Sequence, residues 1–135
     1  MSPHGSLSRS QAEDLVQRYL LANFSPEWGF EPLVDREQTC ETSFGWGICW
    51  NSAAYLRSRD DNDSLYGNAP VLCSRDGRLW LTGTGAPLEV YVKRLEARLG
   101  GGESLWSRLK WGYEGLFRQV EIQQVPQPVV DRLLP

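Results

Sequence analysis

Histidine is nearly absent from this chain. His4 is the one copy in 135 residues, and it sits in a Ser/Gly/Pro-flanked start that reads as frayed. Ser-His-Asp or Cys-His catalysis therefore lacks a firmly held base. Cysteine is scarce too: Cys40, Cys49 and Cys73 form an odd set with no C-x-x-C spacing. Four zinc ligands at close spacing cannot be assembled from them, and they read as small buried hydrophobes. Lysine is limited to Lys93 and Lys110, and 14 basic residues face 17 acidic ones for a net charge of −3. That balance argues against a general nucleic-acid or anionic-membrane binder. No apolar run approaches the roughly 20 residues of a membrane span, and residues 1–18 lack a signal-peptide core. The expected location is the cytoplasm.

Nucleotide and calcium motifs are missing as well. Gly83-Thr84-Gly85 precedes a helical pattern but lacks the third glycine of a dinucleotide fingerprint and the Gly-Lys-Ser/Thr of a phosphate loop. Asp60-Asp61-Asn62-Asp63 lacks the glycine and terminal glutamate of a calcium loop. The expectation is no cofactor, no metal, no catalytic residue and no enzymatic activity.

What is present is enough to fold. A composition 41% apolar, 11% aromatic and 23% charged is that of a soluble globular domain. Ser10-x-x-Glu13 has the form of a capping box, and Ala12, Leu15, Val16, Tyr19, Leu20 and Phe24 recur at helical spacing, predicting a helix over 9–23. Pro26 and Gly29 end it. A strand is expected over 30–39, with Pro32 near its start or at an edge. A clearer one is expected over 43–51, where Phe44, Trp46, Ile48 and Trp50 alternate with Gly45, Gly47, Cys49 and Asn51. The large face reads as core. The small face predicts close packing by a helix or another chain.

Ala54-Tyr55-Leu56 leads into residues 57–64, so polar that a solvent-exposed loop is expected. Val71-Leu72-Cys73 and residues 78–82 flank Asp76-Gly77, the signature of a hairpin. Pro87 opens a helix over 87–99 with Leu88, Tyr91, Val92, Leu95 and Leu99 on one face, and Gly100-Gly101-Gly102 ends it. A short helix over 103–111 and a strand over 116–125 complete the reading. The expected class is α+β: an N-terminal helix, an antiparallel four-stranded sheet with a helix packed on one face, and a C-terminal extension. The expected boundaries are a domain at 8–99 and an extension at 100–135 packed on it.

Charge and aromatics point to a partner. Residues 1–66 hold ten acids and five bases, net −5, whereas residues 67–135 hold seven acids and nine bases, net +2. A loop with Asp60, Asp61 and Asp63 beside Arg57, Arg59 and Tyr66 suits docking to a basic surface, and it also reads as a solvated loop kept soluble by its charge. Trp28, Trp80, Trp106 and Trp111 cannot all be assigned to the core by pattern, and tryptophan is a common interface anchor. The candidate binding residues are Asp60, Asp61, Asp63 and Tyr66, then Trp28 and Trp80.

Several segments also occur in a telling order: Gly45-Trp46-Gly47-Ile48-Cys49-Trp50-Asn51-Ser52, then Tyr66-Gly67-Asn68-Ala69-Pro70-Val71-Leu72, Arg75-Asp76-Gly77, and Leu81 through Thr82-Gly83-Thr84-Gly85-Ala86-Pro87-Leu88-Glu89-Val90-Tyr91. This set resembles the YrhB-domain family, whose members are classed as immunity protein 35. The resemblance implies a small α+β protein encoded beside a secreted polymorphic toxin, which it binds and neutralises in the producing cell. It implies no catalytic residue, and Gly67, Asn68, Pro70, Asp76, Gly77 and Pro87 then read as turn residues of the fold. The leading expectation is an immunity protein that occludes a cognate toxin, encoded by a neighbouring gene, in a stoichiometric complex. The alternative is a chaperone-like or general interaction module binding non-native chains, a role described for one branch of the family.

Overall fold

A computed structural model describes residues 6–65, 68–100 and 120–135. Helix α1 runs from Arg9 to Ala22. Its capping box is formed by Ser8 and Gln11 rather than Ser10 and Glu13. Ser8 Oγ accepts from the Gln11 amide at 3.2 Å, and Gln11 Oε1 accepts from the Ser8 amide at 2.8 Å. Glu13 instead turns inward and is 4% exposed. Its carboxylate accepts from Thr39 Oγ1 at 2.6 Å and pairs with Arg36 at 3.1 Å and Arg9 at 3.5 Å, which is how a charge is tolerated there.

Strands β1 (Pro32–Val34) and β4 (Trp50–Ser52) form a two-stranded antiparallel sheet. Strands β2 (Cys40–Glu41), β3 (Gly45–Ile48), β5 (Val71–Ser74), β6 (Leu79–Leu81) and β7 (Gln123–Gln124) form a five-stranded antiparallel sheet in the order β2-β3-β5-β6-β7. The α+β class holds, while among the described residues the expected four strands become five in this sheet and two in the other.

Helices cover both faces of the larger sheet rather than one. Ala12, Leu15, Val16 and Leu20 of α1 pack with Trp46, Ile48, Val71, Cys73 and Leu79. Helix α3 (Leu88–Leu99) lays Val90, Tyr91 and Leu95 against Leu72 and Trp80 on the opposite face. The period of two sorts these residues: Val71 and Cys73 face α1, and Leu72 between them faces α3. The glycine face of β3 is covered by a helix, as its small residues predict. A Cβ on Gly47 would lie 2.9 Å from Cys40 Sγ and 3.4 Å from a Leu88 methyl. One on Gly45 would lie 2.2 Å from the Cys73 carbonyl oxygen, so no side chain fits there.

Four local expectations are corrected. The strand expected over 30–39 covers only Pro32–Val34, because Asp35 caps a 3₁₀ turn at Arg36–Gln38. The strand expected over 43–51 breaks at Cys49, its first half pairing with β2 and β5 and its second with β1. Phe44 belongs to the β2–β3 turn closed by Thr42 and Gly45, and its ring meets Trp80 at 6.4 Å instead of sharing the Trp46 face. The loop expected over 57–64 begins inside a helix, α2 (Ala53–Ser58), and continues through a 3₁₀ turn (Asp61–Asp63), with residues 57–63 exposed as expected.

The hairpin appears as expected, with Gly77 at φ 85°. The C-terminal residues join the same layers. Val120 and Ile122 pack on the α3 side, Val125 and Val130 on the α1 side, and a last short helix, α4, spans Gln127–Asp131. Of the strand expected over 116–125, Gln123 and Gln124 pair with β6, and residues 116–119 lie outside the described residues. The helix expected over 103–111 also lies outside them.

Candidate partner-binding surface

The two-stranded sheet is a platform that organises polar and aromatic residues beside it. Ser52, 2% exposed, caps α2 by accepting from the Tyr55 amide at 3.0 Å and donates to the Asp63 carbonyl at 2.6 Å. Asn51 Oδ1 accepts from the Leu65 amide at 2.8 Å. Trp50 Nε1 donates to the Ala69 carbonyl at 2.8 Å, and Asn68 Nδ2 donates back to the Trp50 carbonyl. Strand β4 thus holds the acidic segment on either side of residues 66 and 67. Hydrogen bonds, not apolar burial, supply its order. The signal in the sequence was Ser52 followed by Ala53-Ala54-Tyr55, an N-cap before helix formers.

The turn out of α2 is made by Arg59, at φ 58° the only non-glycine residue of positive φ among the described residues. Its amide bonds the Tyr55 carbonyl at 2.6 Å. Its guanidinium lies 5.6 Å from the Tyr55 ring centre and pairs with Asp35 at 3.6 Å and Glu37 at 3.3 Å. The three aspartates then separate in role. Asp60 Oδ1 caps the 3₁₀ turn by accepting from the Asn62 amide at 3.0 Å, and Asp63 Oδ2 accepts from Ser58 Oγ at 3.2 Å. Asp61 has no side-chain partner among the described residues, and all three are exposed. Tyr66 lies outside the described residues.

Trp28 belongs to an aromatic cluster at the other end of the platform. Phe24, Trp28 and Phe30 pack mutually with ring centres 5.4–5.9 Å apart. With Tyr19, Leu20 and Trp50 they line a cleft of about 160 Å³. Trp28 is 59% exposed, and Phe24, Phe30 and Trp50 are half-buried. Burial also pushes the Tyr19 phenol up from its ordinary pKa. Sequence reasoning missed Phe24 and Phe30 as companions of Trp28. Their spacing across Pro26 and Gly29, a chain reversal after a helix, is the signal that could have found them.

Trp80 does not belong to this surface. It is 2% exposed on β6, between Phe44 and the α3 residues, with the Arg78 guanidinium 5.1 Å from its ring centre. The physical reason is its position on a strand with a neighbour on each side and a helix above. A second cleft, about 550 Å³, opens between β6, β7 and α3, with Tyr91 and Glu121 in its lining. Among the described residues no group of three or more His, Cys, Asp or Glu could hold a metal, and no helix is long and apolar enough to cross a membrane. The three cysteines are free, and burial pushes the Cys73 thiol up to about 12.

The acidic turn and the aromatic cleft both fall in the part of the chain that matches a known family. The profile for immunity protein 35 covers residues 10–93, more than half of the chain. This chain belongs to the immunity protein 35 family. It is also similar to the uncharacterized protein YrhB of Escherichia coli strain K12, 35% identical over 57 residues. That match covers 42% of this chain and 61% of YrhB, so the chain spans less than two-thirds of that relative. No solved structure matches. The stretch shared with the immunity protein 35 family runs from α1 into α3 and includes the whole two-stranded platform.

Proposed function

We propose that this member of the immunity protein 35 family neutralises a cognate toxin domain by forming a stoichiometric complex that covers the toxin's working surface. The observation that carries this reading is the shared platform. One strand, β4, contributes Trp50 to the aromatic cleft and Ser52 and Asn51 to the scaffold of the acidic turn. An inhibitor needs two things of such a surface, apolar anchors that slow dissociation and charge that speeds encounter. Trp28 supplies the first, Asp60, Asp61 and Asp63 supply the second, and Tyr66, close to them in the sequence, would add a further anchor. Preorganisation matters here, because a turn already held by hydrogen bonds loses less entropy on binding. A basic toxin domain, such as one that handles an anionic substrate, complements it.

Co-expression with the product of the adjacent gene tests the reading. Growth rescue by this chain, with a one-to-one complex on co-purification, is the expected result. Toxicity that this chain does not relieve, or no complex with that product, would overturn it. The chaperone-like reading draws on the same apolar cleft, and it predicts weak binding to many unfolded chains and suppression of their aggregation. The ordered acidic turn favours a single partner.

A further inference from the structure

The aromatic cleft has a size, an aromatic lining and acidic neighbours in the chain, and together these define what it takes. A cavity of about 150 Å³ accommodates a benzene ring, so a cleft of about 160 Å³ accepts one large apolar side chain. Its neighbours in the chain are acidic. Residues 19–35 contain Glu27, Glu31 and Asp35 and no lysine or arginine. Glu27 and Glu31 flank Trp28 and Phe30 in the chain, are exposed, and make no ion pair among the described residues. A two-fold contact with a second copy would set these carboxylates against themselves, and an anionic membrane would be repelled by them.

We infer that the Phe24–Trp28–Phe30 cleft is an anchor site for one aromatic or large aliphatic side chain carried on a lysine- or arginine-flanked segment of the partner. This rests on the immunity reading for the identity of that partner, the toxin domain, but not for the chemistry of the site. Trp28 stacks on the incoming side chain while the flanking cations meet Glu27 and Glu31. A side chain seated among Phe24, Trp28 and Phe30 displaces water from the cleft, which is the condition for a hot spot.

Two measurements test it. The first uses a catalytically inactivated product of the adjacent gene and compares the full chain with Trp28→Ala and Trp28→Phe. Dissociation should quicken about thirtyfold or more in Trp28→Ala and recover substantially in Trp28→Phe. A complex whose dissociation is unchanged by Trp28→Ala would overturn the cleft and leave the immunity reading standing. If that product forms no complex, the immunity reading falls, and the second measurement decides the cleft. It titrates ¹⁵N-labelled protein with the synthetic peptides Lys-Lys-Trp-Lys-Lys, Lys-Lys-Ala-Lys-Lys and Glu-Glu-Trp-Glu-Glu. A saturable shift of the Gly29 amide with the first peptide alone, lost in Trp28→Ala, supports the site. Equal shifts with all three, no shift, or self-association through Trp28 in sedimentation would overturn it.

Discussion

On the α3 side of the larger sheet, Leu72, Trp80, Val90, Tyr91 and Leu95 close around one another and leave almost nothing to solvent. At the far end of the α1 side, the apolar stripe continues past Leu20 and Trp50 to Phe24, Trp28 and Phe30, where it comes to the surface. Both regions centre on a tryptophan with aromatic neighbours. What differs is cover. Trp80 sits on β6 between β5 and β7, beneath a helix and beside Arg78. Trp28 sits on a 3₁₀ turn, with Phe24 and Phe30 as its ring neighbours. A partly uncovered aromatic cluster on an ordered platform is what a binding surface needs, whereas a fully covered one serves stability.

The sharpest test of that contrast is a pair of truncations. Trp80→Ala should destabilise the fold by about 3–5 kcal/mol, the usual cost of emptying a core aromatic site. Trp28→Ala should cost about 1 kcal/mol, mostly lost ring contacts. Equal shifts of the urea midpoint would break the comparison. A second pair substitutes glycines near the two regions. Gly45→Ala drives a Cβ into the Cys73 carbonyl, and overpacking of this kind costs about 3 kcal/mol. Gly29→Ala meets no atom within 4 Å, but at φ 77° it incurs the left-handed penalty of about 1 kcal/mol. Thermal unfolding of both variants ranks them.

Smaller effects separate the aspartates. Burial alone would raise the Asp76 carboxyl, but hydrogen bonds from Arg78 and Ser74 outweigh it, and the pKa lies below its ordinary value. A lowered folded pKa means that this stabilisation is complete above the unfolded value of about 3.9 and is lost as pH falls through the folded value. Asp76→Asn should therefore show a shallower acid limb than wild type in denaturation midpoints measured below pH 4. Asp61→Lys should leave stability unchanged, slow association with the proposed toxin partner and weaken its salt dependence in stopped-flow. Asp60→Lys is the less clean probe because Asp60 also caps its turn. The smallest expected signal is chemical. With its thiol at about 12 and no exposure, Cys73 should resist alkylation at pH 8 until the protein unfolds.

Legibility in the sequence followed locality. Helix α1, the Asp76-Gly77 hairpin and α3 depend on residues within a few positions of one another, and each was readable to within a residue or two at its ends. The acidity and exposure of residues 60–63 were readable for the same reason. The break at Cys49 was not, because the alternation from Trp46 to Trp50 continues unchanged while the pairing partner switches from β5 to β1. The capping box moved because Glu13 found Arg36 and Thr39, more than twenty positions away. Phe24, Phe30 and Trp50 became one cleft with Trp28 only when α1, β1 and β4 were brought together.

The sequence by itself determined the class, the amphipathic helices, the hairpin and the acidic patch, along with the small residues that admit α3 against β3. Period and turn chemistry act over a few residues, so they are written locally. The tertiary structure alone decided how many strands join each sheet, that helices cover both faces, and which tryptophan is buried. Those outcomes depend on what lies above and beside a residue, and a side chain's cover comes from elements distant in the chain.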